Sequence, residues 1–339
     1  LNSVKVNIRK LAELTGYSPA TISNALNHKR GVNEKTAALI INAARDYGYI
    51  NDSDITKIKF VMYKENGLIV EDTPFFSLVI DGFEKECHQS GMEMIMCHLN
   101  HGQESYRNEL RNLLMDTSAG VVLLGSEISD SEIRHFNSLR VPFLTLEYWI
   151  YDMSYDGVFI NNADSARLAV EYLIEKGHRE IGYIASDYRI NAFKERRTGL
   201  EIGLKKHGLS LPEKYSIALH PTMEGAYRGM MEYLKSRPEL PSAYFADNDI
   251  LALSTMKALQ ESGVRVPEEV SIIGFDDLPF CEISSPRLTS IRVPKQEMGA
   301  AAAKRMIQMI HTNSRLKAKI QICTTLIERD SVMTRISKD

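Results

Sequence analysis

Asn7-Ile8-Arg9-Lys10-Leu11-Ala12-Glu13-Leu14-Thr15-Gly16-Tyr17-Ser18-Pro19-Ala20-Thr21-Ile22-Ser23-Asn24-Ala25-Leu26-Asn27 reads as two short helices around a glycine turn. Asn7 suits an N-cap, because its side-chain oxygen accepts from the free N–H groups of a first turn. Ile8, Leu11, Ala12 and Leu14 recur at helical spacing, and Gly16 stands where the chain leaves that helix through positive φ. Ser18 caps the second helix and Pro19 takes its first position, where a missing N–H costs nothing. Ile22, Ala25 and Leu26 form the inward stripe, which leaves Pro19, Ala20, Thr21, Ser23 and Asn24 outside. Val32-Asn33-Glu34-Lys35-Thr36 opens a third helix with Leu39, Ile40, Ala43 and Ala44 facing in. Three helices on one small core hold a helix–turn–helix rigid, and that motif lays its second helix in the major groove of DNA. The same elements also suit a small bundle that binds protein. The double cap at Ser18-Pro19 and the short polar outer side chains favour DNA. Asn7, Ser18, Pro19, Ala20, Thr21, Ser23, Asn24 and Asn27 are therefore the candidate DNA contacts.

The 339 residues are too many for one core and suit two or three domains. The net charge of −3 says little, but its distribution is uneven. Residues 1–59 hold nine Lys/Arg against five Asp/Glu, about +4, which leaves about −7 for the rest. That split suits a DNA-facing head on an acidic body, although nine cations are also an ordinary solvated surface. Cys87, Cys97, Cys281 and Cys323 lie far apart beside apolar runs, without metal-ligand spacing, and read as buried free thiols of a reducing cytoplasm. No apolar run is long enough to span a membrane and no secretory signal is visible, so the expected location is cytoplasmic. The first residue is Leu1 rather than Met, which leaves the true N-terminus open.

From Lys59 onward short apolar runs alternate with amphipathic helices. The runs are 60–63, 94–97, 121–124, 143–146, 158–160, 181–185, 243–246 and 271–275. Buried strands alternating with helices predict parallel sheets covered on both faces, and this many units predict two sheets.

The chain resembles the lac repressor/galactose repressor (LacI/GalR) family of bacterial transcription regulators. Residues 7–18 and 21–27 follow that family's opening run, and Gly48-Tyr49 stands where its third helix closes. The segments 177–184, 245–252, 263–277 and 285–289 are close to the family pattern as well, so the resemblance spans nearly the whole chain. It implies a three-helix helix–turn–helix head on an α/β body of two doubly wound parallel-sheet subdomains, periplasmic-binding-protein-like, with three chain crossings. These fall near 161–162, 290–294 and 321–325. The implied units are a head at 1–50 and a short atypical hinge at 51–59. An N-terminal effector-binding subdomain follows at 60–161 plus 292–322, with a C-terminal one at 162–291 plus 323–339.

Ligands of open α/β sheets bind beyond the carboxyl ends of the strands. Glu147, Asn248 and Asp276 fall at such ends, Arg196 lies in the helix after the 181–185 strand, and Pro74-Phe75-Phe76 opens the first body helix. Asn248 and Asp276 also suit plain helix caps, Arg196 a surface residue and Phe75 a core residue. The family positions matching Phe75, Glu147, Arg196, Asn248 and Asp276 line an effector site, which favours a pocket. Carboxylates, a guanidinium fork and an aromatic face suit a polyhydroxylated ligand, such as a sugar or sugar derivative. Ser126, Tyr148, Trp149 and His220 are weaker candidates. The family usually has Asp at Glu147 and Asn at Thr73, so the effector is expected to differ from the better-known sugars. No Gly-rich phosphate loop, nucleophile elbow or metal motif is visible, so no cofactor or metal is expected, and binding without turnover is favoured.

The hinge departs from the family. Its Pro, Ala-Arg and Leu are missing from residues 48–59, and Asp52 and Asp54 would face phosphates. Either there is no ordinary hinge helix, or Ile55 or Ile58 serves as a poorer version of the apolar wedge that bends DNA, and little bending is expected. Asn24 stands where many relatives have Arg, which predicts an adenine preference. No C-terminal heptad repeat follows residues 326–331, so a homodimer on a near-palindromic operator is expected. The resulting expectation is an effector-responsive repressor of carbohydrate-use genes that binds double-stranded DNA and no membrane. The alternatives are a solute-binding module with vestigial DNA affinity and a sugar-processing enzyme.

Overall fold

Local capping chemistry starts each head helix where the residues allow it. In this computed structural model, which describes residues 6–26, 31–47, 49, 55–71, 73–149, 153–312 and 316–335, α1 spans Ile8–Thr15, α2 Pro19–Leu26 and α3 Glu34–Asp46. The Lys10 amide donates to Asn7 Oδ1 (2.9 Å), the Thr21 amide to Ser18 Oγ (3.1 Å) and the Thr36 amide to Asn33 Oδ1 (2.7 Å). Gly16 leaves α1 at φ 73°, the left-handed conformation its position requires. Leu11, Ile22, Ala25, Ile40 and Ala44 form the small core. Two expected core residues lie outside it: Leu14 is 41% and Leu39 59% exposed. The inward stripe of α1 is Ile8, Leu11, Ala12 and Thr15, whose hydroxyl donates back to the Leu11 carbonyl (2.7 Å), and Leu14 falls beside that stripe. In α3 the stripe runs through Ala37, Ile40 and Ala44, one residue out of phase with Leu39.

The body consists of two six-stranded sheets. The first is built from β1 (Lys57–Lys64), β2 (Glu93–Asn100), β3 (Gly120–Leu124), β4 (Phe143–Leu146), β5 (Asp156–Ile160) and β11 (Lys319–Ile322), in the order β11-β5-β4-β3-β1-β2, all parallel. The second holds β6 (Ile181–Ser186), β7 (Ser216–Leu219), β8 (Ala243–Ala246), β9 (Ser271–Asp276), β10 (Thr289–Arg292) and β12 (Thr325–Ile327), in the order β12-β10-β9-β8-β6-β7. Only β12 runs antiparallel to its neighbour. β3, β4, β5, β6, β8 and β9 are buried along their whole length, as continuous apolar runs in doubly covered sheets should be. The chain passes between the sheets after Ile160, between Arg292 and Lys295, and between Ile322 and Thr325.

Helices cover both lobes. In the first, α4 (Phe75–Gln89) packs against α11 (Lys295–Thr312), and α5 (Tyr106–Met115) lies on the other face. In the second, α6 (Asn162–Glu175) packs on α7 (Asn191–Lys206), and α8 (Met223–Lys235) on α9 (Asp249–Glu261). The short α10 spans Phe280–Ile283. Gly199 lets α7 touch α6: a Cβ there would collide with the Ala163 carbonyl, so Gly199 sets how close Arg196 comes to the crossing segment.

The cysteines are free, as expected, but only Cys87 and Cys281 are buried; Cys97 is half-buried and Cys323 exposed. Both edge the crossing and outer strands, where one face meets solvent. Among the described residues no helix is long and apolar enough to cross a membrane.

Candidate functional site

Two surfaces concentrate the candidate residues. The first is the outer side of α2. Ser18, Pro19 and Ala20 are exposed and Thr21, Ser23 and Asn24 half-exposed, while Ile22 and Ala25 hold the helix to its core. The Ser18 and Thr21 hydroxyls share a hydrogen bond (2.8 Å), so both are fixed in place. Asn7 Oδ1 is committed to the α1 cap. Asn27, Asp52 and Asp54 lie outside the described residues.

The second is the cleft between the sheets. Arg196 projects from α7 and is buried. Its Nε donates to Asn162 Oδ1 (2.9 Å), Nη1 to the Asp247 carbonyl and Nη2 to Asp276 Oδ1 (3.3 Å). Its guanidinium carbon lies 3.6 Å from the Phe275 ring centroid, which desolvates one face of the cation. Asp276 ends β9 at φ 108°, followed by Asp277 at φ 53°, and Glu147 follows β4 at φ 59°. Left-handed backbone at carboxylates on two facing strand ends is strain of the kind that clusters at ligand sites. Burial raises Glu147 from 4.5 to about 7; Arg196 opposes the shift and Asp276 adds to it. Burial and the Asp276 charge raise Asp249 to about 7 as well. Asp276 is also raised by burial, against the pull of Arg196 and Lys295. Glu147 Oε1 is buried without a protein partner.

Asn248 is buried, and its Oδ1 accepts the Leu251 amide (3.0 Å), so it caps α9 at the cleft floor. Phe75 is buried at the start of α4, edge-on to Phe76, with Lys295 Nζ 5.7 Å from its ring centroid. The space bounded by Glu147, Trp149, Asn161, Asn162, Glu195 and Gln321 amounts to about 90 Å³. Sites for small ligands usually hold about 300–1,000 Å³, so this space alone is too small for one, and Phe75, Arg196, Asn248 and Asp276 are not among its walls.

The weaker candidates divide. Trp149 lines that space and stands edge-on to Phe159 at 4.3 Å. Ser126 is buried with an unpartnered Oγ, two residues beyond β3. His220 follows β7, exposed, 3.6 Å from Asp187. Tyr148 is not a cleft residue: it packs in the core between the first sheet and α5, with its hydroxyl on Asp130 (2.5 Å). The wedge candidates are also core: Ile58 is fully buried inside β1 and Ile55 just before it. Neither can reach DNA without uncovering the sheet.

Residues 170–332 match the periplasmic binding protein-like domain family. The HTH-type transcriptional repressor PurR of Pasteurella multocida (strain Pm70) is 28% identical over 334 residues, covering 97% of this chain and 99% of that protein. The ribose operon repressor of Escherichia coli (strain K12) is 26% identical over 327 residues, covering 96% and 99%. The solved complex of the transcriptional regulator CelR with cellobiose superposes at a TM-score of 0.74, with 25% identity over 96% of this chain and 99% of that one. Over nearly its whole length the chain is similar to transcriptional regulators of the LacI/GalR family. In this LacI/GalR-like chain, the cleft holds three residues that sequence reading did not single out. Asn162 and Asp247 orient Arg196, and Lys295 donates to the carbonyls of Asp276, Asp277 (3.1 Å) and Val293 (3.4 Å). Asp247 adjoins Asn248 in the sequence, and that run of polar residues after an apolar strand was the available signal.

Proposed function

We propose that this regulator is a cytoplasmic repressor that binds a near-palindromic operator as a homodimer through the outer side of α2. An uncharged polyhydroxylated ligand in the cleft changes its affinity for DNA. The observation that carries the reading is the combination of an exposed, capped helix with a buried polar cleft in one chain. Relatives named for ribose and solved with cellobiose support a sugar. The floor cations already have acceptors: Arg196 has Asn162, Asp247 and Asp276, Lys295 has carbonyls, and Arg189 has Asp247. Glu147 Oε1 has none. The site therefore wants a hydrogen-bond donor such as a hydroxyl, and a phosphorylated or carboxylated ligand would add charge beside raised carboxylates.

A ligand must bind one lobe arrangement better than another to shift DNA affinity. The space beside Glu147 and Trp149 is only about 90 Å³, so a sugar-sized ligand needs the lobes to part for entry and close again around it. A thermal-shift screen of neutral sugars against their phosphates tests this, because a ligand selective for the folded state raises the midpoint. Stabilisation by phosphates alone would refute the charge assignment. With Ile55 and Ile58 in the core, the operator stays nearly straight, and a strongly bent complex would contradict that.

A further inference from the structure

Glu127 lies three residues beyond β3 and is 4% exposed. Its Oε2 accepts the backbone amides of Glu65 (2.9 Å), Asn66 (3.2 Å) and Gly67 (2.9 Å), and its Oε1 those of Ile69 (2.9 Å) and Val70 (3.2 Å). The Leu68 amide donates to Asn66 Oδ1 (3.0 Å) and the Glu71 amide to the Gly67 carbonyl (3.0 Å). Every N–H from 65 to 71 is thus bonded, five of them to one carboxylate, in a segment that is neither helix nor strand. Charge-assisted bonds to backbone amides are strong and directional, so this loop takes its shape from a single side chain.

The loop leads straight to Thr73, Pro74 and Phe75 at the cleft edge. Ile69 and Val70, and in the opposite lobe Ile190, are buried in the apolar cluster that runs through both lobes, and Tyr188 packs at its margin. Tyr188 is raised to about 12, chiefly by burial, with the Glu127 and Glu65 charges adding to it. The second lobe repeats the device. Asp247, just after β8, accepts the Ser186 amide (2.8 Å) and bonds Tyr183 and Arg189, which belong to β6 and the loop that follows it. β3 flanks β1 in one sheet as β8 flanks β6 in the other. Each lobe therefore has a buried carboxylate that gathers the loop after its neighbouring strand, and Tyr188 of the second loop lies near enough to the first to feel the Glu127 and Glu65 charges.

We propose that Glu127 is a positioning residue of the ligand cleft: it shapes residues 65–70 into a lip that closes against residues 186–190. Its effect on ligand affinity rests on the effector reading above, but closure itself can be read without ligand.

Trp149, the single tryptophan of the chain, lines the cleft and reports its opening. The test uses the full chain and compares wild type with Glu127→Gln, which keeps the shape but turns an amide nitrogen toward backbone donors. In wild type the amides of 65–67, 69 and 70 should exchange slowly. In Glu127→Gln they should exchange about tenfold faster, and acrylamide quenching of Trp149 should rise about twofold, with exchange in β3 and β8 unchanged. Glu127→Asp, which retains the charge, should restore part of both signals. If Glu127→Gln does not fold, Gly67→Ala disturbs the same loop from its own backbone (φ 79°, with an added Cβ 3.0 Å from the Glu71 carboxyl) and should also expose Trp149. Fast exchange of these amides in wild type overturns the proposal. So does faster exchange in the variants with unchanged Trp149 quenching. A screen in which no sugar alters wild-type Trp149 would instead count against the effector reading and leave the lip intact.

Discussion

Replacing Glu147 with Gln should stabilise the protein in a way that depends on pH. Burial raises this carboxyl from 4.5 to about 7. At about 1.36 kcal/mol per pH unit, keeping it ionised in the fold at pH 8 costs about 3 kcal/mol, an upper figure because the residue keeps some solvent contact. A carboxyl raised on folding holds its proton more tightly in the native state. Its stabilising contribution is complete below pH 4.5 and disappears as pH climbs through 7. Wild type and Glu147→Gln should therefore melt together near pH 4.5 and separate by about 5–10 °C at pH 8, with the variant higher, at a few degrees per kcal/mol. The measurement is thermal unfolding by circular dichroism across that range without ligand. Asp249 is raised to about 7 in both proteins, so its titration cancels to first order in the comparison. A gap that is the same at pH 4.5 and pH 8, or a variant that melts lower at pH 8, would refute the assignment of Glu147 as the strained carboxylate of the cleft.

Other expectations follow from the same structure. Gly199→Val drives a side chain into the Ala163 carbonyl; it should cost about 3 kcal/mol in urea unfolding and displace Arg196, with loss of any ligand-induced melting shift. His178 is buried between Ser242 Oγ (2.9 Å) and the Met333 carbonyl (3.0 Å), and burial lowers it from 6.5 to about 4. Its contribution is complete above pH 6.5 and is lost as pH falls through 4, so His178→Gln should flatten that acid limb by about 3 kcal/mol in unfolding curves measured between those limits. Asn24→Ala should remove an adenine preference at one operator position, worth about 1–3 kcal/mol in competition with base-substituted duplexes. Equal weakening on every sequence would show that Asn24 reads no base.

What sequence reasoning could see was set by range. The caps at Asn7, Ser18 and Asn33 and the turn at Gly16 are local chemistry, and all four appear as expected. The central strands are continuous apolar runs and show up as such. β7, β10, β11 and β12 carry no comparable signal: each is three or four residues long, and β11 and β12 are half-exposed, so they resemble loops until a neighbouring strand pairs with them. In the cleft, Glu147, Asn248 and Asp276 stand at the strand ends where an α/β sheet collects ligand groups, and Arg196 reaches them from inside α7. Asn162, Lys295 and Glu127 were hidden because the partners that tie them to Arg196, Asp276 and the lip lie 19 to 62 residues away, whereas Asp247 at least stood beside Asn248 in a polar run after an apolar strand. Ile58 misled for the opposite reason. Beside the hinge it looks like a wedge, and only the pairing of β1 with β2 and β3 shows it to be core.

The central claim is that an exposed helix of this regulator grips operator DNA, and salt titration of that grip tests it most directly. The full-length chain would be titrated by fluorescence anisotropy onto a duplex selected from a random pool, across a range of potassium chloride. The account predicts a two-fold symmetric site and an affinity that falls steeply and linearly with log salt, as released counterions require. An unenriched pool, or an affinity indifferent to salt, would contradict it.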